Sequence, residues 1–150
     1  MAVTAEQVKQ LRDQTGISMM ECKKALEAAD GDMAKALAIL GERATATAGK
    51  KADRTLGAGA VQAYIHGNGT VGSLVLLMCE TDFVAKNEEF VALTRDIAMQ
   101  AAAMRPANVE ELLAQPFIKD GAKTVQDLIS GAVQKFGERV EIGSMTVSAV

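Results

Sequence analysis

Residues 58–79 read AGAVQAYIHGNGTVGSLVLLMC, and no other stretch limits the possible folds as tightly. Val61, Ala63 and Ile65 alternate with Gln62, Tyr64 and His66, the period of two expected of a half-buried strand. Gly67-Asn68-Gly69 then supplies residues that tolerate positive φ, and an apolar run follows, so the segment predicts a β-hairpin. The second strand, 71–79, is apolar at nearly every position after Ser73. A strand of that kind belongs in the middle of a sheet, covered on at least one face.

Helical patterns supply the cover. In NEEFVALTRDIAMQAAAM, 87–104, Asn87 is a cap and Glu88 and Glu89 suit the positive end of a helix, while Phe90, Leu93, Ile97, Ala101 and Met104 share a stripe. Pro106 ends that helix. A short helical turn around NVEELLA and a longer helix around TVQDLISGAVQKF follow; the latter buries Val125, Leu128, Ile129, Ala132 and Phe136 and stops at Gly137. Beyond it, Val140 and Ile142 alternate in one phase and Met145, Val147 and Ala149 in the other, which predicts a bulge near Gly143-Ser144. The expected architecture of 58–150 is α+β: a three-stranded antiparallel sheet with helices packed on one face. Its edges and second face are free to self-associate unless other elements cover them.

The segment 1–41 reads as three short helices. Thr4 and Gln7 have capping-box spacing ahead of Val8, Leu11 and Arg12, and Gly16 breaks the pattern. Ser18 and Glu21 repeat the box, with Met19, Cys22, Leu26 and Ala29 on one face. Asp32 starts a third helix, whose stripe is Met33, Leu37 and Leu40 and which Gly41 can close. Helices this short need one another, so a tight bundle is expected. In 42–57, ERATATAGKKADRTLG, the stripe vanishes and a partly helical linker is expected. Its Arg43, Lys50, Lys51 and Arg54 are diluted by Glu42 and Asp53, which favours a solvated connector over an RNA contact.

Composition removes several function classes. A net charge of -3, 3% aromatic residues and no Trp argue against stable nucleic-acid binding. No apolar run approaches the roughly 18 residues of a membrane span, and the N-terminus lacks the blocks of a secretory signal, so the expected location is cytoplasmic. His66 has no second histidine, and Cys22 and Cys79 lie in packed segments without metal spacing. A nucleophile with an oriented base is missing, and GNGTVG at 67–72 joins two strands, where a phosphate loop would join a strand to a helix. The acids Glu80, Asp82, Glu88 and Glu89 read as caps and exposed charges. The expectation is a binding or regulatory protein with no catalytic chemistry, metal or cofactor of its own.

Three motifs carry a resemblance. TGISMMECKKAL followed by AADGDMAKAL, then CETDFVAKNEEF at 79–90, then KFGERVEI at 135–142 together resemble the elongation factor Ts family, in the order expected and over essentially the whole chain. The resemblance implies a ubiquitin-associated-like bundle, a linker and a core, which agrees with the pattern. It further implies an exchange factor that binds the GTPase domain of elongation factor Tu in its GDP form. The turn of Thr81, Asp82, Phe83 and Val84 would dislodge magnesium and loosen the phosphate loop, with Lys23 a contact of the N-terminal domain and Gly137 a family-motif glycine. Longer members carry a second core subdomain; in a short form, a homodimer of two cores could replace it.

The residues alone allow other readings. Phe83 reads as a core anchor, since large aromatics are usually buried; Asp82 reads as a turn residue, Lys23 as part of an exposed helix face and Gly137 as a helix stop. A buried Phe83 would favour an interaction module whose bundle recognises another helix or a ubiquitin-like surface. An exposed one favours exchange. An RNA or ribosome contact through Lys50, Lys51 and Arg54 is the third alternative.

Overall fold

The computed structural model describes residues 2–150. In chain order the elements are α1 (Ala5–Thr15), α2 (Met19–Ala28), α3 (Met33–Lys50), β1 (Ala58–His66), β2 (Val71–Cys79), α4 (Asp82–Ala85), α5 (Glu88–Met104), α6 (Val109–Ala114), β3 (Pro116–Phe117), β4 (Asp120–Thr124), α7 (Val125–Phe136) and β5 (Glu141–Ala149). No helix among the described residues is long and apolar enough to cross a membrane.

The main sheet has the order β1-β2-β5, antiparallel throughout, so the most apolar strand is central. The hairpin turns through Gly67 and Gly69 at φ 53° and 85°, a region open to glycine. Opposite Leu76 and Leu77 the register shifts from Ser144 to Ile142, leaving Gly143 as the extra residue of the expected bulge. The shift lets Ile142, Met145 and Val147 all pack towards the core despite their opposite phases.

One face of the sheet is covered. Val75, Leu77 and Cys79 of β2 meet Phe90, Ile97, Ala98 and Ala101 of α5 and Val125, Ile129, Ala132 and Val133 of α7. Phe90 is completely buried, with its ring edge-on to Phe136 at 5.8 Å between centroids. Each such large side chain contributes about 1.5–3 kcal/mol by leaving water.

The alternation in β1 points the opposite way from the simplest reading. Ala58, Ala60 and Tyr64 pack against the core, while Val61 and Ile65 are exposed on the other face. Helix α5 lies across β1, and the alanines leave room for it to approach. The larger apolar residues are left on the open side.

The small β3–β4 hairpin was not legible, because PFIKDGAKT has no apolar alternation. A buried amide holds it. Gln100 on α5 donates to Gln115 Oε1 at 3.2 Å and to the Pro116 carbonyl at 3.1 Å, and accepts the Ile118 N–H at 2.9 Å.

In the N-terminal bundle, Leu11, Cys22, Ala25, Leu26, Ala36 and Leu40 form a second core. Thr4 and Gln7 make a full capping box, and Gly16 ends α1 at φ 69°. At Ser18 only half of the expected box forms: the Glu21 N–H donates to Ser18 Oγ, but the Glu21 carboxylate turns to Lys24 and Arg43. Gly41 does not close the third helix, which continues to Lys50. Tertiary packing accounts for that, since Ala44 is buried and Ala48 packs on the main core where α3 lies along α7. Thr45 and Thr47 satisfy their hydroxyls on the carbonyls of Gly41 and Arg43.

Candidate partner-binding turn

β2 delivers the chain, fully buried at Cys79, to the surface within three residues. Thr81 then caps the single turn α4, its Oγ1 accepting the Val84 N–H at 3.5 Å. Burial divides the turn sharply. Val84 and Ala85 face the core, Asp82 is exposed, and Phe83 is 90% exposed. The reading of Phe83 as a core anchor is therefore overturned: that place belongs to Phe90, seven positions on and completely buried. A large aromatic held in water forgoes about 1.5–3 kcal/mol of burial, so the surrounding structure has to hold it there.

Among the residues that hold the turn, Glu138 was not singled out by sequence. Its Oε1 accepts the backbone N–H groups of Glu80 and Thr81, each at 3.0 Å, and its Oε2 accepts the Thr81 hydroxyl at 2.7 Å. In return, Glu80 Oε2 accepts the Arg139 N–H at 2.6 Å. The only cue available in sequence was a carboxylate immediately after the helix stop in KFGERVEI; its partners lie 57 and 58 residues earlier. Burial, and then the charge of Glu138, raise the pKa of Cys79 and keep it a neutral thiol. That thiol donates to the Thr81 carbonyl at 3.3 Å.

Gly137 enters the same neighbourhood by ending α7 at φ 71°, which turns the chain so that Glu138 faces the turn. Its carbonyl accepts Lys51 Nζ at 3.0 Å. Arg54 lies 3.5 Å from the Glu80 carboxylate, and its carbonyl accepts Arg139 Nη1 at 2.6 Å. Two of the basic linker side chains, Lys51 and Arg54, thus tie the linker to the core.

Lys23 stands apart from the turn. It lies on α2, pairs with Glu27 at 3.8 Å and is exposed beside Met19 and Met20, which are exposed as well. The Met19 side chain therefore does not join the bundle core as its spacing suggested. The bundle meets the core at Gly16: a Cβ there would lie 2.9 Å from Lys135 Nζ, and Lys135 pairs with Glu89 in the first turn of α5.

The family model described as Elongation factor TS matches residues 80–150, the part that contains the turn and Glu138. A protein named Elongation factor Ts from Heliobacterium modesticaldum is 43% identical over 185 residues, spanning 93% of this chain and 86% of the relative. One from Leptospira biflexa is 40% identical over 188 residues and covers 95% of both. One from Trichlorobacter lovleyi is 46% identical over 142 residues, 95% of this chain but 46% of the relative. Alignments of 185 and 188 positions exceed the 150 residues of this chain, so the first two relatives carry internal residues without counterparts here. On this similarity the chain belongs to the elongation factor Ts family of translation elongation factors.

Proposed function

We propose that this chain is a guanine nucleotide exchange factor that binds elongation factor Tu in its GDP form through the turn of Thr81, Asp82 and Phe83. The observation that carries the reading is the 90% exposure of Phe83 on a turn whose next two residues are buried. Phe83 wedges into the GTPase domain, the elements that present magnesium and the phosphate loop move apart, and GDP leaves. Magnesium and backbone N–H groups hold a nucleoside diphosphate, so displacing them weakens binding without any bond being made or broken. Val84 anchors the wedge from behind, Gly137 directs the chain that supports it, and Lys23 supplies a second contact from the bundle.

Energetics require that second contact. Lowering GDP affinity 10⁴-fold takes about 5.5 kcal/mol of differential binding, whereas burying one Phe side chain supplies about 1.5–3 kcal/mol. The deciding experiment is release of fluorescent GDP from the cognate elongation factor Tu, comparing wild type with Asp82→Ala and Phe83→Ala. Acceleration by wild type and its loss in Phe83→Ala is the expected result; equal rates for all three chains sink the reading.

We further propose that the open sheet face pairs two copies of the chain. Its central rows, Val61-Leu76-Ser144 and Ala63-Leu74-Thr146, hold no charged side chain. Val61, Ile65 and Leu74 are exposed there. The uncharged centre can meet its own copy without burying an unpaired charge, with Glu141, opposite Met78 on the same face, left at the rim.

A further inference from the structure

A single helical turn has little stability of its own, because it fixes several dihedral angles for very few hydrogen bonds. Helix α4 has four residues and presents an apolar ring to water. Val84 and Ala85 pin its inner side. They do not define how the turn leaves β2, and that is where the Glu138 carboxylate acts.

The chemistry of Thr81 makes the contact directional. Its hydroxyl has one proton, and that proton goes to Glu138 Oε2 at 2.7 Å. The oxygen lone pairs are then free for the Val84 N–H, the capping bond of α4. Glu138 Oε1 meanwhile takes the N–H groups of Glu80 and Thr81, both of which lie just before the helix. One ionised carboxylate therefore sets the hydroxyl rotor, the cap and the backbone leading into the turn. Arg139, the next residue, is held by Glu80 Oε2 and by the Arg54 carbonyl, so the support is itself fixed on two sides.

We infer that Glu138 is a positioning residue for nucleotide exchange, which orients Phe83 through Thr81 and makes no contact with the nucleotide or its magnesium. This rests on the reading of Phe83 as the wedge. A glutamine at 138 is nearly isosteric but cannot do the same work. If its oxygen keeps the two N–H groups, its NH₂ faces the Thr81 hydroxyl and reverses that bond, so the hydroxyl proton loses its charged acceptor and no longer fixes the rotor.

The test is GDP release from elongation factor Tu as a function of chain concentration, for wild type, Glu138→Gln, Thr81→Val, Phe83→Ala and the double variant Glu138→Gln/Phe83→Ala. Glu138→Gln and Thr81→Val should each lower the maximal rate about tenfold, the scale of one lost charge-assisted hydrogen bond. For Glu138→Gln the concentration for half-maximal effect should move much less, because the residues proposed to touch elongation factor Tu are all still present. The double variant should behave as Phe83→Ala alone, since Glu138 acts through that ring. Full activity of Glu138→Gln, or losses that multiply in the double variant, overturns the role of Glu138 and leaves the exchange reading in place. A wild-type chain that does not accelerate release overturns the exchange reading itself, and this role with it.

Discussion

Glu80 and Glu138 hold each other's backbone: Glu138 Oε1 accepts the Glu80 N–H at 3.0 Å, and Glu80 Oε2 accepts the N–H of Arg139, the residue after Glu138, at 2.6 Å. Two carboxylates that would repel if they faced each other each take a neutral backbone donor instead, and Arg54 stands beside Glu80. The pairing joins the end of β2 to the start of β5 at the base of the exposed turn.

Phe83 and Phe90 should respond oppositely to truncation. Phe83→Ala removes a side chain that is 90% exposed, so stability should change by no more than about 0.5 kcal/mol while exchange is lost. Phe90→Ala empties a fully buried site and should cost about 3–5 kcal/mol. Urea denaturation of both variants, alongside GDP release, tests the contrast.

Charge on the open sheet face should separate the proposed dimer. Val61→Lys places an ammonium in a row of uncharged neighbours, at a position exposed in the single chain. Light scattering should give the mass of two chains for wild type and of one for the variant, with an unchanged circular dichroism spectrum. A monomeric wild type at high concentration refutes the pairing.

Gly16→Ala should loosen the bundle from the core as well as strain α1. The residue sits at φ 69° with a Cβ position 2.9 Å from Lys135 Nζ. The left-handed conformation alone costs about 1–2 kcal/mol. The flexible lysine has to shift, and with it the pairing it makes with Glu89. Hydrogen exchange should show faster opening around the first turn of α5 than in wild type.

Cys79 should stay unreactive while the protein is folded. Its folded pKa is raised by burial and then by the charge of Glu138. An unfolded chain therefore loses this proton first, so stability contributed by the neutral thiol is complete at neutral pH and declines as pH rises from the ordinary thiol value of 9.0 through the higher folded one. Alkylation at pH 8 should be slow until denaturant is added. Fast alkylation of the native protein contradicts the burial.

The legible parts of the fold are those that local chemistry decides. A glycine-rich turn between two apolar segments yields the hairpin, and Thr4, Asp32 and Asn87 cap helices because a short side-chain oxygen reaches free N–H groups. Phase was harder. Val61 and Ile65 look like core residues until α5 is seen to need the smaller alanines beneath it. Gly41 looks like a helix stop until α7 lies along α3 and Ala48 packs on the main core.

The candidate site divides along the same line. That Thr81 to Lys86 form a short element between a buried strand and a capped helix follows from residues adjacent in the chain, and the family resemblance follows from their order. Whether Phe83 points in or out does not, because an apolar ring is equally at home in either reading until its neighbours compete for the space. Tertiary structure decides it by giving the core positions to Val84, Ala85 and Phe90 and by bringing Glu138 back across 57 residues to fix the turn. Sequence determines which groups can cap, turn and alternate, since those bonds are local. Only the folded chain determines which apolar residue is left in water, since that is settled by packing among segments far apart in sequence.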